Sequence, residues 1–188
     1  MPSKINASVS SGLVVDSDLT GSLQLQTGGN PAISIDSSQV VNFTKQFQFG
    51  GVLPPAFSAY GAALTSVSNT TFTKLIYGTE EFDTNNNYAS SRFTPTVAGY
   101  YSITASSTGP TSGGAGINIF KNGSSFKAGT LIPGAATDGC YLIASALIYF
   151  NGSTDYVELY AYQRTGGTIN MGSNSQDFAF QGILVRAA

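Results

Sequence analysis

From about Phe57 to the C-terminus the chain is a succession of short apolar and β-branched runs separated by Asn-Gly and Gly-rich turns, ending in Phe180-Gln181-Gly182-Ile183-Leu184-Val185. No segment between these runs carries the 3.6-residue apolar period of a helix. Many short strands with turn signals between them predict an all-β sandwich of two packed antiparallel sheets. Strands are expected near 57–60, 71–77, 88–93, 100–106, 116–121, 125–127, 141–150, 156–162, 168–171 and 178–185. Asn122-Gly123 is a type I′ hairpin signal, and Asn151-Gly152 marks a slightly longer loop. Val157, Leu159 and Ala161 alternate with Tyr156, Glu158, Tyr160 and Tyr162, which gives that strand one apolar face and one aromatic-polar face able to pack on a neighbouring subunit.

Residues 12–43 follow a different rule, a ten-residue repeat of Leu13-Val14-Val15, Leu23-Gln24-Leu25, Ile33-Ser34-Ile35 and Phe43 with Asp, Gly and Asn between. Each unit reads as a short strand and a turn. Two apolar residues per rung over about 50 residues bury too little surface for independent stability. The segment is therefore expected to lean on identical copies or on another protein, with Leu13, Val15, Leu23, Leu25, Ile33 and Ile35 as its docking residues. A Ser-rich linker is the competing reading, but a linker has no reason to space apolar pairs at a fixed interval. Gly50-Gly51-Val52-Leu53-Pro54-Pro55 reads as the joint, because paired prolines stop a ladder and favour an extended connector. The expected organisation is an arm over 1–50 and a sandwich over 56–188.

Composition narrows the function. Only 10% of residues are charged, against about 25% in an ordinary soluble domain. Neutral Ser, Thr, Asn and Gly must cover the surface, which suits permanent assembly because little charge has to be desolvated on contact. The eight basic residues are scattered through a chain of net charge −2, so no patch is expected to neutralise nucleic-acid phosphates. There is no His and a single Cys, Cys140. That excludes an imidazole base and an internal disulfide, leaves no expected metal or cofactor, and makes Cys140 a small buried hydrophobe. The opening Met1-Pro2-Ser3-Lys4-Ile5 lacks the pattern of a signal peptide, and the run from Tyr141 to Phe150 is about half the ~20 residues a membrane helix needs. Neither export nor a membrane anchor is expected, and the five Asn-x-Ser/Thr sequons are read as chance.

Four motifs, in order, make residues 56–188 resemble the C1q-like domain of the C1q and tumour-necrosis-factor superfamily: Phe57-Ser58-Ala59; Phe93-Thr94-Pro95 through Gly99-Tyr100-Tyr101; Ile117-Asn118-Ile119-Phe120-Lys121-Asn122-Gly123; and Phe180-Gln181-Gly182-Ile183-Leu184. Ala98 replaces a proline often found before the motif glycine. The resemblance implies a ten-stranded jelly roll that assembles as a compact homotrimer. It places Phe57, Tyr101, Phe180 and Leu184 in the protomer's core or at the threefold interface, both readings being open at this stage. The collagen stalk of animal members is missing, and the N-terminal repeat instead resembles the strand-turn units of bacteriophage fibre and virion proteins. The implied role is a structural virion protein, with the arm attached to the capsid or tail and the jelly roll as a knob.

Chemistry is sparse. Glu80-Glu81-x-Asp83 is the one acidic cluster; beside Asn85-Asn86-Asn87 it reads as a solvated loop rather than an acid-base pair. Gly113-Gly114-Ala115-Gly116 lacks the helix and Lys-Ser/Thr of a phosphate loop. Without His no Ser-His-acid arrangement exists, and no enzymatic activity is expected. The alternative to a purely structural role is recognition of a host-surface glycan at a fibre tip. It would use the loops 107–115, 129–138 and 163–167, with Tyr88, Tyr160 and Tyr162 as stacking surfaces.

Overall fold

The computed structural model describes residues 23–27, 30–35, 37–38, 40–43, 54–61, 63–111, 113–133, 140–172 and 178–188, none of them helical. The chain divides into two compact units, Met1–Gln48 and Phe49–Ala188.

In the first unit β1 (Leu23–Thr27), β2 (Asn30–Ile35) and β3 (Val41–Phe43) form one antiparallel sheet in that order. The ten-residue repeat sets its register. Leu23 pairs with Ile35 and Leu25 with Ile33; Ile35 then pairs with Val41 and Ile33 with Phe43. Ile33 and Ile35 are half-buried. Leu13 and Val15 lie outside the described residues.

The second unit contains β4 (Ala56–Tyr60), β5 (Thr65–Val67), β6 (Thr73–Lys74), β7 (Thr79–Asp83), β8 (Tyr88–Ala89), β9 (Arg92–Phe93), β10 (Gly99–Gly109), β11 (Gly114–Lys121), β12 (Ser124–Ile132), β13 (Cys140–Phe150), β14 (Val157–Arg164), β15 (Ile169–Met171) and β16 (Ala179–Ala187). A five-stranded sheet runs β13-β10-β16-β4-β7 and a six-stranded sheet β12-β11-β14-β9-β8, with β6 also on β14 and β15 paired with β5. Every pairing between these strands is antiparallel. Asn122 and Gly123 both take positive φ, +52° and +78°, as a type I′ turn between β11 and β12 requires.

The four motifs converge on one aromatic core between the sheets. Phe57 stacks on Phe93 at 4.3 Å and on Tyr88 at 4.9 Å, and meets Phe180 edge-on at 5.0 Å. Phe93 in turn meets Tyr101, and Tyr101 meets Phe150, both edge-on. Ile117 and Ile119 close the opposite wall, fully buried. Gly182 makes this packing possible, since a Cβ there would lie 2.6 Å from a Phe57 ring carbon and 2.7 Å from Ile103 Cδ1. Buried phenols find acceptors: the Tyr101 hydroxyl donates to Val97 O at 2.8 Å and the Tyr88 hydroxyl to Tyr77 O at 2.8 Å. Desolvation pushes both hydroxyls well above the usual tyrosine range.

Two local expectations need correction. Thr79–Asp83, read from sequence as a loop, is β7, the edge of the five-stranded sheet. An edge strand pairs on one side only, so its sequence need not alternate. The Asp83 carboxylate starts the following turn, accepting from Asn85 N and Tyr88 N, while Glu81 accepts from the Ser58 hydroxyl at 2.5 Å. The segment Thr65–Val67, outside the expected strands, is β5; three residues are too few to show a period.

Candidate functional site

The sandwich has two outer faces, and they are built differently. In an antiparallel sheet with one solvated face, strands alternate apolar inward and polar outward. β13 breaks that rule. Leu142, Ala144, Ile148 and Phe150 are buried, yet Tyr141, Ile143, Leu147 and Tyr149 on the other parity are also apolar and exposed, Leu147 by 62% and Tyr141 by 65%.

Register extends this apolar surface across the five-stranded sheet. Tyr149 faces Tyr100 on β10, their rings 5.4 Å apart. Leu147 faces Ser102, Ser102 faces Ile183 on β16, and Ile183 faces Ala56 on β4. Ile183 and Val185 are about half exposed, as is Phe82 on β7. Small residues on both sides of β16, Ala56 and Ser58 on β4 and Ser102 and Thr104 on β10, line with Phe82 and Ile183 a shallow groove of about 290 Å³. Bulky side chains thus stand along one edge of the face and a groove lies toward the other. The Gln181 amide donates to Ser58 Oγ, so the groove's polar floor is internally bonded. The face is suited to association, because it presents several exposed apolar side chains, interrupted by one polar row of Ser145, Thr104, Gln181 and Ser58, and few charges.

On the outer face of the six-stranded sheet the buried charge is satisfied by contacts within the protomer. Glu158, assigned from sequence to an outward aromatic-polar face, is buried beneath Lys74 and Arg92, whose nitrogens lie 2.7 and 2.9 Å from its carboxylate. Burial by itself pushes this carboxyl up, but the hydrogen bonds and charges of Lys74 and Arg92 outweigh burial and hold it below the ordinary glutamate range. Arg92 also sits 3.8 Å above the Tyr156 ring, and Lys74 donates to Ser90 O at 2.8 Å. Beside this cluster runs an aromatic ridge. Tyr160 stacks on Phe120 at 4.0 Å, and Phe72 contacts both Phe120 and Tyr162 at 5.1 Å.

Phe57, Tyr101, Phe180 and Leu184 are placed in the protomer's own core, Leu184 at 6% exposure and the others at 1% or less. Side chains so enclosed leave almost no surface for another copy; the residues that do are their outward neighbours Tyr100, Ile183 and Val185. Tyr88 is likewise a core residue and offers no stacking platform, whereas Tyr160 and Tyr162 lie on the ridge. Of the loops considered for ligand recognition, 107–109 belong to β10 and 129–132 to β12, while 134–139 lie outside the described residues. Gln163 is buried and ties its loop down, donating to Val67 O and Gly167 O. Among the described residues no three His, Cys, Asp or Glu side chains cluster closely enough to hold a metal ion. The apolar outer parity of β13 was the available sequence signal for this exposed apolar face. Nothing local marks Glu158, whose cations lie 84 and 66 residues away.

No protein-family model matches the chain, and no curated protein matches it. Solved structures do. The globular domain of zebrafish complement 1qA protein superposes with a TM-score of 0.56 at 12% identity, covering 72% of this chain and 100% of that one. Murine APRIL gives 0.55 at 7% identity over 71% of this chain and 100% of that one. The PRD1 vertex protein P5 gives 0.54 at 16% identity, covering 72% and 100%. At such identities the likeness shows the fold: all-β, a C1q/TNF-like jelly roll.

Proposed function

We propose that the protein is a non-enzymatic structural component of a bacteriophage virion. It forms a homotrimer in which residues 1–50 attach to the capsid or tail while the jelly roll over 56–188 projects as a knob. The observation that carries this reading is the apolar outer face of the five-stranded sheet. An outward parity this apolar gains free energy when another surface covers it. That face pairs bulky side chains on one edge with a groove toward the other, so one copy's bulk fits the next copy's groove. Such a heterologous contact closes into a ring when the rotation allows. Support for the virion setting comes from the PRD1 vertex protein, a phage protein with this fold, and from the low charge of the surface. Repeated rungs too small to fold alone suit an arm that borrows order from a partner. In sedimentation at micromolar concentration the full chain runs as three copies of 19.5 kDa; a monomer overturns the proposal. Electron micrographs of virions labelled with antibody to residues 56–188 test the location.

A second reading, recognition of a host-surface glycan at a fibre tip, is favoured by one observation, the aromatic ridge of exposed Phe72 and half-buried Tyr162 on the opposite face.

A further inference from the structure

The outer face of the six-stranded sheet contains a gap that its register explains. Across three strands Tyr162 of β14 pairs with Gly116 of β11, and Gly116 pairs with Leu131 of β12. The middle residue of that row has no side chain. In the next row Asn118 lies between Tyr160 and Ala128, so the gap continues over short side chains. The result is a groove of about 300 Å³ lined by Phe72, Tyr162, Leu131, Asn118, Gly116 and Arg164 among others. This is the lower end of the range of about 300–1,000 Å³ spanned by small-ligand sites. One wall is aromatic, Phe72 being 42% exposed, and the other is aliphatic, Leu131 being 58% exposed.

Charge decides what fits. The described ion pairs occupy Lys74, Arg92 and Lys121; Arg164 is exposed and, among the described residues, has no carboxylate partner. A guanidinium presents a planar fork that matches a carboxylate with two parallel hydrogen bonds. Asn118 donates through Nδ2 to Ser125, and its Oδ1 is a further acceptor suited to a hydroxyl.

From this juxtaposition we infer that the groove binds a carboxylate-bearing pyranose of a surface polysaccharide, with the sugar's apolar ring face on Phe72 and Tyr162 and its carboxylate on Arg164. The inference rests on the glycan reading and not on the trimer, since the associating face belongs to the other sheet.

The test titrates the full chain with methyl glycosides of glucuronic, galacturonic and N-acetylneuraminic acid and with the uncharged glucoside and galactoside, followed by calorimetry and ligand-detected NMR. At least one acidic glycoside binds ten or more times tighter than the neutral ones. Arg164→Gln abolishes that preference, Arg164→Lys restores part of it because charge returns without the fork, and Phe72→Ser weakens all sugars that bind. Arg164 is exposed and unpaired among the described residues, so its variants keep the fold and the oligomeric mass. Equal binding of acidic and neutral sugars, or an acidic preference that survives Arg164→Gln, overturns the inference and leaves the glycan reading intact. Binding of none of them at millimolar concentration overturns both.

Discussion

Replacing Leu147 by Glu separates assembly from folding. In the protomer Leu147 is 62% exposed on the outward parity of β13, opposite Ser102. A surface change of this kind moves protomer stability by no more than about 0.5 kcal/mol. Fully burying a leucine contributes about 1.5–3 kcal/mol, so covering the exposed share adds about 1–2 kcal/mol per copy in the assembled trimer. Glutamate forfeits that gain and brings a carboxylate into a dry contact with no cation of its own, at a further cost of several kcal/mol. In the proposed trimer three copies meet. Even about 2 kcal/mol per copy lowers the assembly constant by about four powers of ten. Sedimentation equilibrium at micromolar concentration therefore finds Leu147→Glu as a 19.5 kDa monomer with unchanged far-ultraviolet dichroism. The matched control is Phe72→Glu, an exposed apolar residue on the opposite sheet, which leaves the mass of the assembly unchanged. If Leu147→Glu keeps the wild-type mass, or Phe72→Glu loses it as readily, the assignment of the five-stranded face is wrong.

Glu158→Gln neutralises the shared partner of Lys74 and Arg92 and lowers stability at pH 7 by about 1–3 kcal/mol, because two ion pairs become hydrogen bonds from cations to a neutral amide oxygen while both cations still reach water. The folded carboxyl titrates below its unfolded value, so its contribution is full above the unfolded value and is lost as pH falls through the folded one. Urea melts of the two proteins differ at pH 7, and the difference shrinks as pH falls below the ordinary glutamate range; a gap that stays constant as the carboxyl is protonated rules the ion cluster out as the source. Gly182→Ala drives a methyl group into Phe57 and Ile103 and costs about 1–3 kcal/mol by overpacking. Phe57→Leu in the same chain recovers part of that cost, and strict additivity in the four-way comparison of melts refutes the contact.

How much of this was legible in the sequence depended on the distance over which each feature is encoded. The apolar residues of the four motifs are each apolar because they meet the others: Phe57 lies against Phe93 and Phe180, Phe93 against Tyr101, and Gly182 is small because Phe57 covers it. Alternation over the seven residues Tyr156 to Tyr162 was enough to place Val157, Leu159 and Ala161 inward, and positive φ at Asn122 and Gly123 was implied by their identity. Short or edge elements were not legible. β5 is three residues long, and β7 has a partner on one side only, so Thr79–Asp83 carries polar residues that read as loop. Glu158 was placed on the correct parity but with the wrong burial, because its cover comes from Lys74 and Arg92 on other strands. The groove beside Tyr162 was likewise hidden, since it exists through the pairing of Gly116 with two neighbours.

The contrast between the two outer faces explains why one of them is left for partners. On the six-stranded sheet much of the bulk and the buried charge is consumed within the protomer, with Phe72 and Leu131 left exposed beside the groove: Phe120 is only 8% exposed because it lies against Tyr160 and Phe72, and the Glu158 carboxylate is matched by two cations. Area that is already dry or neutralised has little left to gain from a second copy. On the five-stranded sheet Tyr141, Ile143, Leu147, Ile183 and Val185 each remain more than half exposed with no covering element among the described residues. Exposed apolar area of that extent is where association gains most free energy per unit surface. With only 10% of residues charged, repulsion does little to hold copies apart. The same low charge makes a single substituted carboxylate conspicuous there, so Leu147→Glu is expected to act on assembly far more strongly than on the fold.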